Sequence, residues 1–277
     1  MRPAGLARPC SAPRAAFCYL FGGSVRLLDR FVEKPHACAY LAGERASLEV
    51  RVMLDVSAAE TGAMLERGWR RFGPIYFRPA CASCAECVSL RVVVARFAPS
   101  KSQRRAVRAG ARLRRVVGPP RVDAARLELY ARWHAGRERA RGWAPNAQDD
   151  ERYGLEFAFE HPAAREAAFY DDEAEGAPGR LVGVGLFDET PTALSAAFFF
   201  HDPAPEYARM SLGTLNVMTL VEDARARGLR HVYLGYRVSG CPSLRYKSSF
   251  RPHEVLGNRP MSLDDAPVWT EVADRGA

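Results

Sequence analysis

The chain has 277 residues, a formal net charge of +8 and 48% hydrophobic residues. That is enough apolar material for one large packed domain or two ordinary ones, and it excludes a globally disordered chain. No apolar run approaches the roughly 18–20 residues that a bilayer-crossing helix needs, so no membrane partner is expected.

Residues 1–23 are rich in Ala, Pro and Arg, contain no acid and read as a disordered extension. The apolar stretch Ala15–Phe21 is at the lower limit for a signal-peptide core, and Gly-Gly-Ser-Val-Arg is a poor cleavage site after it. The apolar spacing of Val25, Leu27, Leu28, Phe31 and Val32 leads into a first domain. Glu49 to Leu54 reads as a strand. Ser57 to Arg67 reads as a helix, with Ser57 as N-cap, Glu60 three residues on and Gly68 ending it. Pro74–Phe77 and Leu90–Phe97 are further strands. A helix is expected from Ser100 through about Arg115, broken at Pro119-Pro120, where a domain boundary is placed. Asp123 caps another helix, with Leu127, Tyr130 and Trp133 on one face, and Tyr153 to Phe159 reads as a further one. Strands at Arg180–Phe187 and Ala193–Phe200, a long helix from Ser211 to Gly228 and a strand at His231–Tyr236 complete a mixed α/β pattern. The tail after Pro260 is acidic and irregular.

Two features carry chemistry. Arg96 to Arg121 holds nine Lys or Arg residues and no acid, while the rest of the chain is near neutral. Concentrated charge of this kind implies a polyanion such as nucleic acid; a solvated Arg-rich face is the plain alternative. Lys101, Arg104, Arg105 and Arg108 recur at helical spacing and are the expected nucleic-acid contacts. The second feature is Cys81-Ala-Ser-Cys84-Ala-Glu-Cys87. Thiolates at C-x2-C-x2-C spacing can surround one zinc ion or iron–sulfur cluster, with Cys38 as the expected fourth ligand and His36 behind it. A set of small buried residues is the plain alternative. Seven cysteines, an odd number with three in one cluster, fit reduced thiols and a cytoplasmic location better than a disulfide framework.

At these residues the chain resembles the arginyl-tRNA–protein transferase family, most closely its bacterial leucyl-transferring branch. The resemblance rests on Pro35-His-Ala-Cys38-Ala-Tyr40-Leu41, Arg67-Gly-Trp-Arg70-Arg71-Phe-Gly73, Tyr76-Phe-Arg-Pro79, the Cys81–Cys87 cluster with Ser89-Leu-Arg91-Val, and Phe97-Ala-Pro-Ser100-Lys-Ser102-Gln-Arg104-Arg105. It continues through Ser211-Leu-Gly213-Thr214, Tyr233-Leu-Gly235-Tyr236, Cys241-Pro-Ser-Leu-Arg-Tyr246-Lys247 and Phe250-Arg-Pro252. Leu41 stands where the eukaryotic branch has a second cysteine, which favours the bacterial branch. The resemblance implies a cysteine-bearing N-terminal domain over 24–118, a GNAT-like acyltransferase domain over 119–260 and a tail over 261–277. It also implies leucine moved from leucyl-tRNA to proteins beginning with Asp or Glu, marking them for N-end-rule degradation. No small-molecule cofactor is required, because the aminoacyl ester is already activated.

Aminolysis of an ester needs positioning, a proton acceptor and oxyanion stabilisation. Free N–H groups at Ser211-Leu-Gly213-Thr214 could hold the oxyanion, or the segment could be an ordinary helix cap. Tyr236 ends a strand and could donate a hydrogen bond. Arg237 and Lys247 are expected to meet the acceptor carboxylate or a tRNA phosphate, with Arg70, Arg71 and Tyr76 as further substrate contacts and Tyr40 as a base-stacking candidate. An arginyl donor, a non-catalytic RNA-binding protein with a structural metal, and a coenzyme A acetyltransferase are the competing readings. The last lacks a clean R-x-x-G-x-G/A loop.

Overall fold

The computed structural model describes residues 25–176, 179–262 and 264–272. The expected extension over 1–23, with Cys10 and Cys18, lies outside the described residues.

The N-terminal part is built on a four-stranded antiparallel sheet of order β1-β4-β6-β5, from β1 (Arg26–Val32), β4 (Leu48–Leu54), β5 (Arg70–Phe72) and β6 (Ile75–Pro79). A short ribbon of β2 (His36–Ala37) and β3 (Arg45–Ala46) stands beside it. Helix α1 (Ala58–Glu66) starts as expected, at a reciprocal capping box between Ser57 and Glu60 that contributes about 1 kcal/mol. Gly68, at φ +81, turns the chain out of the helix into β5.

The second sheet has eight strands: β7 (Val88–Val93), β8 (Arg114–Gly118), β9 (Ala164–Asp171), β10 (Arg180–Glu189), β11 (Ala193–His201), β12 (His231–Arg237), β13 (His253–Leu256) and β14 (Trp269–Glu271). Their order is β14-β13-β7-β12-β11-β10-β9-β8, antiparallel except for β11 and β12. Helices α2 (Lys101–Ala109) and α6 (Leu212–Ala226) lie together against one core, where Leu90, Leu194, Leu212 and Leu220 are buried. Helices α3 (Ala124–Arg141) and α4 (Asp150–Phe157) enclose an aromatic core of Tyr130, Trp133, Tyr153, Phe157 and Phe200. Two short helices, α5 (Pro205–Ala208) and α7 (Pro242–Arg245), complete the set. Each fully buried Leu or Phe contributes about 1.5–3 kcal/mol.

Three expectations are corrected. The basic helix stops at Ala109, with Gly110 as C-cap, and residues 114–118 form strand β8 rather than helix. The physical reason is pairing with β9 over residues 114–118 and ion pairs to distant acids, while Gly110 lets α2 approach α6, where a Cβ would lie 2.3 Å from Leu215 Cδ2. The boundary drawn at 118 does not separate the sheets, because β7 and β8 precede it and both belong to the eight-stranded sheet. The tail is not wholly irregular: β14 pairs with β13, and Trp269 Nε1 donates to Glu66 O at 3.0 Å.

Strands β11 and β12 determine where a site can form. Their register covers only Ala193–Ser195 against His231–Tyr233. Beyond that the two strands continue to His201 and Arg237 without pairing to each other. Gly235, at φ +75, sits at an irregularity in the β12–β7 pairing. Strand β5 of the smaller sheet packs against β11 at this opening.

Candidate active site at the open end of the parallel strand pair

Alternation along β5 sends its two arginines to opposite places. Arg70 reaches the opening, where Nη1 donates to Ser195 Oγ at 2.7 Å and Nη2 to Ala196 O. Arg71 goes the other way into a buried ion pair with Asp188, and it donates to Gly73 O at 3.1 Å. From the far side, Lys247 Nζ donates to Tyr236 O at 3.0 Å. Arg70 and Lys247 therefore flank Gly235: a Cβ there would lie 3.5 Å from Lys247 Nζ and 3.6 Å from Arg70 Cζ. Burial lowers the Arg70 guanidinium below its ordinary range. Burial, followed by the Arg70 charge, pushes the Lys247 amine down to about 7.

Next to this pair is a cavity of about 640 Å³ between the N-terminal sheet and the end of β12. Its wall is largely aliphatic and aromatic, with Leu41, Leu48, Phe77, Val88, Val255 and Leu256. Arg45, Arg67, Arg78, Arg237 and Arg259 also line it, against a single acid, Glu44. Arg78 is occupied: it pairs with Glu49 at 2.8 Å and stacks on Trp69, 4.6 Å from the ring centre. Burial alone would raise the Glu49 pKa, but Arg78 and Arg51 bring it below the ordinary value. Arg237 is different. It is half-buried, and its Nε is enclosed with no hydrogen-bond partner among the described residues. An enclosed, unsatisfied guanidinium N–H costs about 1–3 kcal/mol, which an anionic ligand would relieve.

Cys38, Cys81, Cys84 and Cys87 all line this cavity, as does the half-exposed Tyr40. The Tyr40 backbone N–H donates to Cys38 Sγ at 3.4 Å. Burial, then Cys81, Cys38 and Cys84, pushes the Cys87 thiol up to about 12. Four thiols on one wall suit a soft metal by donor type. As the side chains stand, however, no group of three or more His, Cys, Asp or Glu among the described residues is arranged to hold a metal ion. No chemical step is assigned to a metal.

The other expected site residues divide clearly. Tyr236 lines the cavity, but its hydroxyl donates to Gly68 O at 2.9 Å and Phe77 O at 3.3 Å, so it ties β12 to the smaller sheet. Burial raises its pKa well above the ordinary phenol value. Arg71 and Tyr76 are buried away from the cavity, correcting the expectation that they touch substrate. The Tyr76 hydroxyl sits 2.9 Å from His161 Nε2, under α1 and α4. Ser211, Gly213 and Thr214 form the first turn of α6 and do not line the cavity. Ser211 adopts φ +56 and makes no side-chain cap, so the capping role is not seen in its hydroxyl. Lys101, Arg104, Arg105 and Arg108 are all exposed on α2, where the Ser100–Gln103 capping box orients the helix. Gln103 Nε2 donates to Ser249 O at 3.2 Å, which fastens the basic helix to the turn that carries Lys247. Sequence reasoning missed Ser195, and it quoted Gly235 without giving it a role. A lone glycine inside a strand is a signal of close backbone approach that could have pointed to it.

Two family models match the chain: the N terminus of arginine-tRNA-protein transferase over residues 36–105, and its C terminus over residues 125–257. Among named relatives, the aspartate/glutamate leucyltransferase of Halorhodospira halophila is 39% identical over 81% of this chain and 92% of its own length. That of Helicobacter hepaticus is 30% identical over 88% of this chain and 98% of its own. A solved C-terminal domain of a putative lysylphosphatidylglycerol synthetase from Agrobacterium fabrum aligns at 15% identity and a TM-score of 0.41, over 75% of this chain and 61% of that one. The sequence matches define a class of enzyme, the aminoacyl-tRNA–protein transferases. The chain belongs to the arginine-tRNA-protein transferase family, and the relatives it spans almost end to end carry the name aspartate/glutamate leucyltransferase.

Proposed function

We propose that this chain moves leucine from leucyl-tRNA to the α-amine of proteins that begin with Asp or Glu, in the cytoplasm, as a mark for N-end-rule degradation. The observation that carries the reading is Arg237, a cation without a partner among the described residues, facing an apolar cavity beside the opening of β11 and β12. The aliphatic wall suits a leucyl side chain. A donor arginine would bring a sixth guanidinium into a cavity with five arginines and one acid, which disfavours the arginyl alternative. Arg237 takes the acceptor carboxylate in a charge-assisted contact. Helix α2, held to the Lys247 turn, presents four cations to the tRNA backbone. The splayed parallel pair supports a GNAT-like organisation of the C-terminal part, with the cysteine-bearing part closing one side of the site. A metal bound by the four cysteines would be structural, and metal analysis after anaerobic purification tests it. Absence of both zinc and iron ends that reading.

The test mixes purified protein, leucyl-tRNA and peptides that begin with Asp or Asn. Leucine should appear on the Asp peptide. Arg237→Ala should collapse the Asp-to-Asn efficiency ratio by about ten- to a hundredfold, the worth of a charge-assisted hydrogen bond. An unchanged ratio would move acceptor recognition away from Arg237.

A further inference from the structure

Two cations, Arg70 and Lys247, stand on either side of Gly235 in the opening between β11 and β12, and they are held differently. Arg70 is fixed to β11 through Ser195 Oγ and Ala196 O. Among the described residues Lys247 makes one hydrogen bond, to Tyr236 O, so its amine has bonding capacity to spare. We propose that Lys247 accepts the proton from the acceptor's α-ammonium, with Arg70 as the positioning residue that keeps the lysine ready to do so.

The inference rests on the leucyl-transfer reading above and names the proton acceptor for it. Around the opening, three other polar groups cannot serve. The Tyr236 hydroxyl is committed to two carbonyls, Ser195 Oγ accepts from Arg70, and a guanidinium does not release its proton in water. Residue choice adds an independent argument. The chain has three lysines, Lys34, Lys101 and Lys247, among 40 basic residues. In a chain that uses arginine almost everywhere a charge is needed, position 247 carries the basic residue that can lose a proton. The groups that act on Lys247 come from several elements: Arg70 from β5, Cys241 from the turn before α7 and Cys87 from the segment before β7. Arg245 and Tyr246 precede it on its own turn, and Gln103 of α2 binds that turn at Ser249. Neither thiol hydrogen-bonds the amine, and no carboxylate is among the groups that act on it. Burial and the Arg70 charge both favour the neutral amine, which is the form that can take a proton.

The step balances. Neutral Lys247 Nζ takes one proton from the α-ammonium. The freed lone pair forms the N–C bond to the ester carbonyl carbon. The bond between the acyl carbon and the ribose oxygen breaks as the tetrahedral intermediate collapses, and the departing ribose oxygen takes the second nitrogen proton. Lys247 then returns its proton to water, for one proton released per leucine transferred.

The experiment measures kcat against pH with the full chain, saturating leucyl-tRNA and an Asp-start peptide. Wild type should show a rising limb near pH 7. Lys247→Arg, which keeps the charge but cannot deprotonate, should lower kcat by about a hundredfold or more with tRNA binding and KM changed less than about threefold. Arg70→Gln should move the limb to higher pH. Because kcat is read with the peptide bound, the limb is assigned to Lys247 rather than to the peptide's own α-amine, ordinarily at about 7.7–8.0, by its disappearance in Lys247→Arg. Ethylamine should restore part of the rate to Lys247→Ala. A Lys247→Arg variant with wild-type kcat, or one whose loss lies wholly in KM, overturns the proposal. If the variants do not fold, a 13C-methyl titration of the three reductively methylated lysines in the wild-type chain decides it. One resonance should titrate near 7 and respond to acceptor peptide; three ordinary lysine values overturn it. Wild type that transfers no leucine at all would instead sink the function reading, and the same titration would still judge Lys247.

Discussion

Helix α2 and the stretch that follows it, residues 112–115, are almost equally rich in arginine, yet their charges end in opposite states. On α2, Lys101, Arg104, Arg105 and Arg108 are exposed and have no acidic partner among the described residues; Arg104 reaches only the carbonyl of Pro99. In the following stretch, Arg112 pairs with Asp171 at 2.8 Å, Arg114 with Asp172 at 2.7 Å and Arg115 with Asp223 at 2.5 Å. Those carboxylates come from the end of β9 and from α6. One block of sequence charge is therefore divided by the fold. One half stays exposed to solvent, and the other clamps β8 against its neighbours. Formal charge overstates the charge available for nucleic acid.

The largest effect that could break this comparison is on tRNA binding. Changing Lys101, Arg104, Arg105 and Arg108 together to Ala should weaken tRNA affinity about a hundred- to a thousandfold at moderate salt. The slope of log affinity against log salt should flatten by about three, since each phosphate contact contributes somewhat under one unit. Thermal stability should barely move. If the slope is unchanged, the exposed half is a solvated face and the comparison fails.

Next in size is a pH effect from the interior, where a base stays neutral beside a paired cation. Burial, then the Arg71 charge, pushes His161 down to about 3 from an ordinary 6.5. Its Nδ1 accepts from Ala163 N–H at 3.0 Å, which leaves Nε2 as the donor toward the Tyr76 hydroxyl. The unfolded chain binds this proton below about 6.5 while the folded chain refuses it down to about 3. Stability is therefore full above pH 6.5 and falls as pH drops, by about 2 kcal/mol between pH 6.5 and 5. Denaturant titrations at the two pH values should show this slope, and His161→Gln should flatten it.

Arg112→Ala should do the reverse of the α2 variant. Asp171 is fully buried and, among the described residues, keeps the Tyr207 hydroxyl at 2.9 Å as its remaining side-chain partner. Stability should fall by about 1–3 kcal/mol, with tRNA affinity within about twofold of wild type. A large loss of affinity with unchanged stability would place Arg112 on the RNA face. The smallest effect belongs to the helix itself. Ser100→Ala removes the cap of α2 and should cost about 1 kcal/mol, with a few-fold loss of tRNA affinity as the first turn frays.

What the sequence determined by itself is local. The capping box at Ser57 was readable because its interacting groups lie three residues apart. So were the Asp123 cap, the β10–β11 hairpin and the run from α6 to β12, because their signals repeat with the period of the element. The motif series named the enzyme class, and it put Arg237 and Lys247 among the site residues. Tertiary structure decided the rest. It turned residues 114–118 into a strand, because pairing with β9 and ion pairs to distant acids outweigh the helical tendency of an arginine run. It sent Arg70 into the opening and its neighbour Arg71 into a buried pair, a consequence of strand alternation combined with the docking of one sheet on another. It bound the Tyr236 hydroxyl to backbone carbonyls and left the Arg237 Nε unsatisfied. Local signals report which backbone a residue prefers. Whether a charge is free, paired or poised depends on groups far away in the sequence, and only the folded chain brings those together.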